Sequence, residues 1–451
     1  MATNTHLRAA GSALLVAALL GSSAAAKNRE PAGAIHQTHV TSTDDPDLDG
    51  RDTREAPTNR PTVEAAFSNE SYSPGSTARL SIWTGGTDVR IRLYRAGTET
   101  TGIVARDIML GSPVTAARLL GDIGKGDVFR IRVGNWPSGL YFAKLTGSEG
   151  KIGYAPFVLR PHRLGEHGVA VVFSTMTWQA YNFHDDNGDG VPDTWYQNQN
   201  DHSLTARLGR PYENRGVIPH YKFYEQPFVR WLVATHRDVD YLADADLDLR
   251  TTTGRKLAAA YSLIVFPGHH EYVTTHEYDA VLAYRNRGGN LMFLSANNFF
   301  WRTVKEGNVM RRTAHWRDLG RPEAALLGTQ YFANDAGEHR GSWIVRRTPA
   351  ESWIFARTKL RPGSSFANGG IEADEVAPSS PPGTQVIAAI PRLFDTPHNA
   401  DMTYYELPNG AKVFAAGAFT LAGAVWWENV HQVIENLFAR LTDDGNRTRV
   451  R

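Results

Sequence analysis

The sequence predicts an α/β fold, an open, mostly parallel and doubly wound sheet, preceded by a small all-β sandwich. Three observations predict it. Val169-Ala-Val-Val-Phe173, Ser262-Leu-Ile-Val-Phe266 and Asn290-Leu-Met-Phe-Leu-Ser295 are apolar runs of the kind found in strands buried on both faces. Between the last two, Tyr278, Val281, Leu282 and Arg285 recur at helical spacing within Glu277 to Arg287. Strand, helix and strand at that spacing form a parallel βαβ unit. Ahead of them, Ala78-Arg-Leu-Ser-Ile82, Val89-Arg-Ile-Arg-Leu93 and Phe129-Arg-Ile-Arg-Val133 alternate apolar and polar residues, the period of half-buried strands.

Taken in order, the chain opens with His6 and Arg8, the apolar run Ala13 to Leu20, and small residues from Gly21 to Ala26. This is the pattern of a secretory signal peptide over residues 1–26, cleaved after Ala26. The run is shorter than the roughly 20 residues a bilayer span needs. A secreted or extracytoplasmic protein with no stable membrane span is expected. Residues 27–61 are polar and aperiodic, and too poor in apolar side chains to offset chain entropy, so they read as a disordered linker. Residues 62–160 carry the alternating strands, separated by Ser73-Pro-Gly75, Gly85-Gly86, Gly124-Lys-Gly126 and Pro137-Ser-Gly139; several short strands between turns suggest a sandwich. No acids, histidines or nucleophiles cluster there, which suits interaction or support.

Residues 161–445 hold the α/β part. Thr274 or Thr275 can cap the helix of the βαβ unit and Gly288-Gly289 can end it. Pro227 to Thr235 reads as a further helix leading to a strand at Val239-Asp-Tyr-Leu242. Trp426, Val430, Val433, Ile434, Leu437 and Leu441 mark the apolar stripe of a closing helix.

Composition removes several function classes. The chain has no cysteine, hence no disulfide, no thiolate metal site and no cysteine nucleophile. That rules out a glutamine-amidotransferase-type enzyme, which the α/β layout would otherwise suit. A net charge of +1 gives no global field favouring nucleic acid or an anionic membrane.

Open α/β sheets bind ligands at the carboxyl ends of their strands. After Phe173 come Ser174 to Asn182; after Phe266, Pro267-Gly-His269-His270-Glu271-Tyr272; after Ser295, Ala296-Asn297-Asn298. In an extended loop His269 and Glu271 project to the same side, which can set an imidazole and a carboxylate beside one ion. The plainer reading is that these residues cap helices and satisfy loop backbone. Separately, Asp185, Asn187, Asp189 and Asp193 follow the oxygen-ligand spacing of a calcium loop. Tyr196 stands where the twelfth-position glutamate would be, and an acidic turn is the other reading.

Thr177-Trp-Gln-Ala-Tyr-Asn182, Phe266-Pro-Gly-His-His-Glu-Tyr272, Gly288-Gly-Asn-Leu-Met-Phe-Leu-Ser-Ala-Asn-Asn298 and Trp316-Arg-Asp318 resemble the large (beta) subunit of N,N-dimethylformamidase. The likeness runs from about Val63 to Leu441. It implies a metal-dependent hydrolase of a small amide, with a mononuclear ferric iron held by two tyrosines and a glutamate. By motif, Glu271 is the carboxylate ligand and Tyr181 one phenolate; the second is Tyr224 or Tyr221, with Tyr224 preferred. His269 would either support the ligands or face the substrate, Asn297 would donate a hydrogen bond, and Glu406, in Tyr404-Tyr-Glu-Leu-Pro408, resembles the family's supporting acid. Phenolate and carboxylate oxygens are hard donors that suit ferric iron better than zinc. The resemblance also implies a small second subunit; a homo-oligomer is the other assembly. The family's large subunit has additional N-terminal sequence, and an export signal is unexpected in a catabolic amidase. The alternative function is therefore an exported binding protein that keeps the fold without turnover.

Overall fold

A computed structural model describes residues 57–196, 205–335 and 337–443. The expected leader, and the expected linker up to residue 56, lie outside the described residues.

The alternating segments form two sheets. One contains Glu64–Phe67, Thr77–Thr84 and Val128–Arg132. The other contains Ser71–Tyr72, Ile152–Leu159, Gly139–Thr146 and Gly86–Arg95, with Ser112–Pro113 and Arg118–Ile123 beside the last. Leu80, Ile82, Ile91, Leu93, Tyr141 and Phe157 share the core between them. The second sheet is covered on its other face too. Leu140, Phe142, Tyr154 and Val158 belong to a separate core with Phe228 and Val229, so side chains alternating along Gly139–Thr146 serve two different cores.

The larger sheet begins as the sequence suggests. Asp240–Ala243, Val169–Phe173, Leu263–Phe266, Asn290–Phe293 and Lys412–Ala415 lie side by side and are mutually parallel. Val169, Val171 and Phe173 pack with Trp231, Val430 and Leu437, from the helices Gln226–Ala234 and Glu428–Thr442. Ala170 and Val172 face the other way, toward Leu257, Tyr278 and Val281, from Gly254–Ala260 and Thr275–Arg285. Continuous apolar runs follow from this two-sided burial. Thr274 caps the last helix, its hydroxyl accepting the N–H of Glu277 at 3.1 Å.

The doubly wound layout is not what the chain adopts. Past Lys412–Ala415 the sheet continues as Ala400–Glu406, Gln385–Ile390, Arg340–Val345, Ser365–Glu375 and Gln330–Asn334, all antiparallel to their neighbours. A separate four-stranded sheet joins Thr205–Arg207, Val309–His315, Trp301–Glu306 and Tyr272–Thr274. The fold is mostly β with mixed sheets. A doubly wound sheet needs a helical crossover between successive parallel strands. Here the return from Asn290–Phe293 to Lys412–Ala415 is made mainly of strands.

Candidate metal centre

The site is built by tying three strand exits together. Val169–Phe173 runs into the short helix Thr175–Ala180, whose C-terminal cap is Tyr181. Asp244, just past the neighbouring strand, accepts the N–H of Met176 at 2.6 Å and the hydroxyl of Thr175 at 3.3 Å. Thr177 then accepts the N–H groups of Glu271 and Tyr272 at 3.1 and 3.3 Å. The helix bearing Tyr181 is thereby held against the loop bearing Glu271, and the Tyr181 phenol donates to Glu271 Oε2 at 2.8 Å. The two side chains are 90 residues apart in sequence and both are buried, at 8% and 3% exposure.

His269 stands beside this pair. Its Nε2 is 3.4 Å from Oε2 of Glu271 and 3.4 Å from Oε2 of Glu372. Its ring lies 5.4 Å from that of Tyr181 and 4.6 Å from Phe419. Tyr224 packs on the same Phe419 at 5.3 Å, in a small apolar cluster with Ala296 and Ile371. Tyr221 is instead in the main core with Phe228 and Trp231. Asn297 follows Ala296 with a left-handed backbone (φ 49°). Its N–H donates to Asp374 at 2.8 Å, and its buried side-chain oxygen has no hydrogen-bond partner among the described residues. A cavity of about 10 Å³ touches Tyr181, Asn182 and His220, room for about one water.

Glu406 is not at this site. It pairs in register with Lys412, at the amino end of a parallel strand, whereas Glu271 and Asn297 follow carboxyl ends. An antiparallel strand finishes where its parallel neighbour begins, so Glu406 falls on the opposite sheet edge. There it is 44% exposed and paired with Arg440 at 3.2 Å. The acid beside His269 is Glu372, in the strand Ser365–Glu375, which the sequence reading missed.

Two more residues join the site without having been singled out for it. The Tyr196 phenol donates to that of Tyr181 at 3.0 Å, and it also contacts the Tyr272 phenol. The visible hint was a tyrosine at a position where a calcium loop carries a carboxylate. Glu225 touches the segments that carry Tyr181, Tyr224 and Glu271. It follows Tyr224, accepts the indole N–H of Trp178 at 2.8 Å, and lies so close to Gly268 that a Cβ there would sit 2.3 Å from its Oε1. Burial raises its carboxyl to about 7, against the Trp178 hydrogen bond. No sequence signal marks it.

The 185–193 loop closes on its own amides. Asp185 accepts the N–H groups of Asn187, Gly188, Asp189 and Gly190, Asp189 accepts from Val191, and Asp193 accepts from Asp186.

Among the described residues, Asp244, His270 and Glu277 also bring three potential ligand atoms within 4.8 Å of one another. His270 Nε2 lies 2.8 Å from Asp244 and 2.9 Å from Glu277. Burial alone would lower the imidazole, but Asp244 first and Glu277 second raise it to about 10. Both acids meet the same ring nitrogen, and burial together with the Asp244 charge raises the Glu277 carboxyl to about 8.

The family model described as "N,N-dimethylformamidase beta subunit-like, C-terminal" matches residues 127–431. The N,N-dimethylformamidase beta subunit of Alcaligenes sp is 24% identical over 288 residues, covering 49% of this chain and 37% of that protein. The N,N-dimethylformamidase beta subunit of Paracoccus aminophilus is 24% identical over 276 residues, covering 48% of this chain and 35% of that protein. The chain thus spans little more than a third of the length of these curated relatives. Among solved structures, a Paenibacillus sp. cycloisomaltooligosaccharide glucanotransferase has a TM-score of 0.16 at 12% identity, over 41% of this chain and 27% of that one, a likeness too slight to carry an argument. The family model covers well over half of the chain, which therefore belongs to the N,N-dimethylformamidase beta subunit-like family.

Proposed function

We propose that this chain hydrolyses the C–N bond of a small linear amide at a mononuclear ferric site held by Tyr181, Tyr224 and Glu271. The observation that carries the reading is the buried 2.8 Å contact between the Tyr181 phenol and Glu271, beside a second buried carboxylate, Glu372, that shares His269. Two carboxylates and phenol oxygens gathered away from water are a hard-donor set, and such a set favours a highly charged cation. A phenol ionises near pH ~10 in water, and a cation stabilises its phenolate form. When bound, the metal supplies Lewis-acid polarisation of the amide carbonyl and a more acidic water.

The chain's own groups do the rest. His269, between Glu271 and Glu372, is placed to take a proton from water and return it to the departing amine nitrogen. The bond broken is C–N, the bond formed is C–O, and the products are a carboxylic acid and an amine. Amide oxygen and nitrogen exchange places by a flip of the side chain, so the unpartnered end of Asn297 can present N–H to a developing oxyanion.

Export with cleavage after Ala26 belongs to the same proposal, from the Ala13 to Leu20 run. Calcium in the 185–193 loop also belongs to it, because that loop leads to Tyr196 and so to Tyr181. The relatives are named as a subunit, which supports a second subunit as partner. No helix among the described residues is long and apolar enough to cross a membrane.

The test is metal analysis together with turnover of N,N-dimethylformamide and related small amides. Stoichiometric iron and release of a carboxylic acid are expected. A folded chain that takes up no iron and releases no acid would favour the binding-protein alternative.

A further inference from the structure

A second concavity lies well away in sequence from the ligand loops. It follows the strand Arg340–Val345 and is formed by the turn of 3₁₀ helix Pro349–Phe355 and the segment after it. Its volume is about 530 Å³, within the range of small-ligand pockets. Arg346, Arg347, Arg357 and Arg361 all line it, and no carboxylate is among its described lining residues. Phe355 and Leu360 give it an apolar floor, being buried at 7% and 5% exposure. Asp401, in the adjoining sheet, feels the charge of Arg346 at a distance, but its carboxylate accepts the N–H of Val376.

The frame around the arginines is fixed. Asn436 of the C-terminal helix donates to the carbonyls of Ile354 and Ala356 at 2.9 and 2.7 Å. Val345 and Gly363 close the other side, with the N–H of Gly363 donating to Val345 at 2.9 Å. One arm of the Arg361 guanidinium donates to the carbonyls of Leu360 and Thr358 at 2.7 and 3.3 Å, which limits the freedom of its planar fork. Arg357 is held at φ 63°, a left-handed conformation uncommon for a residue with a side chain, which sets where its guanidinium leaves the backbone.

Four like charges around one hollow repel each other and raise the local potential. Guanidinium forks match tetrahedral oxyanions through paired hydrogen bonds. We propose that this hollow binds an organic monoester of phosphate or sulfate, the oxyanion on the arginines and the apolar group over Phe355 and Leu360. The site is independent of the hydrolytic reading, since it shares none of its residues.

The experiment is calorimetric titration of the full chain, at fixed ionic strength, with phenyl phosphate, phenyl sulfate and benzoate. One or both esters should bind at least ten times more tightly than benzoate, and the stronger of the two identifies the source of the oxyanion. Arg347→Gln with Arg357→Gln should weaken ester binding at least tenfold, with melting temperature and iron content unchanged. Arg118→Gln, an exposed arginine of the sandwich, should change nothing. If the double variant fails to fold, Arg347→Lys is read instead; it keeps the charge without the fork and should weaken binding several-fold. Equal affinity for benzoate, unchanged binding in the pocket variants, or an equal loss in Arg118→Gln would overturn the assignment.

Discussion

His269 and His270 are neighbours in sequence and serve opposite faces of one loop. His270 is closed in at 1% exposure, stacked on Phe299 and edge-on to Phe266, and its Nε2 is shared by Asp244 and Glu277. His269 faces Glu271 of its own loop and Tyr181 and Glu372, which arrive from two distant segments. Both have two acidic neighbours. The difference lies in what the acids are attached to. Asp244 holds the start of the Thr175–Ala180 helix and Glu277 lies in the first turn of another, so the His270 cluster is part of the scaffold. Glu271 and Tyr181 are held by others, through Thr177, and are oriented toward each other. Burial and charge clustering alone do not separate the trio around His270 from the group around His269 that is proposed to react.

The comparison can be broken most sharply by removing each histidine. His270→Ala leaves two carboxylates buried side by side and should cost about 3–5 kcal/mol of stability, read as a large fall in the denaturation midpoint. His269→Ala should leave the midpoint close to that of the parent while turnover is lost and iron is retained. Equal destabilisation by the two would erase the distinction.

A smaller effect is expected at Gly268. An added Cβ would meet Glu225 at 2.3 Å, and overpacking of this kind costs about 1–3 kcal/mol. Because Glu225 adjoins Tyr224 and anchors Trp178, Gly268→Ala should also lower iron uptake. Unchanged metal content would show that Glu225 does not align the ligand segments.

The two acids can be set against each other next. Glu372→Gln should lose turnover with little change in iron content. Glu406→Gln weakens the Arg440 ion pair and the hydrogen bond from the Tyr404 hydroxyl at a part-exposed strand end, and should cost below about 1 kcal/mol with turnover intact. The reverse pattern would return the supporting role to Glu406. The smallest effect is expected at the acidic loop. Calcium should raise the melting temperature modestly, and Asp189→Ala should abolish that gain; identical curves with calcium and with chelator would leave only the turn.

What could be read from the sequence follows from how each part is buried. The parallel strands were legible because Val169–Phe173 and Leu263–Phe266 are covered on both sides and must be apolar throughout. His269 and Glu271 drew notice because they sit just after such a strand, whereas Tyr181, at the end of a helix, was singled out only by resemblance. The antiparallel extension was not. Its strands mix glycine and charge, as in Gly369-Gly-Ile-Glu-Ala-Asp-Glu375, and read as turns. Glu372 and Asp374 are buried only because Ser365–Glu375 is paired with Gln330–Asn334 and Arg340–Val345, partners that no local pattern announces. Glu406 was suggested by motif resemblance alone, and it ends its strand on the solvent side.

The central claim is that Tyr181, Tyr224 and Glu271 share one ferric ion, and the visible spectrum of the iron-loaded chain tests it most directly. Phenolate-to-iron charge transfer should give a band that Tyr181→Phe and Tyr224→Phe each weaken, that Glu271→Ala abolishes with loss of the metal, and that Tyr221→Phe leaves unchanged. A folded, iron-treated chain without colour, or a band that depends on Tyr221 more than on Tyr224, would contradict the account.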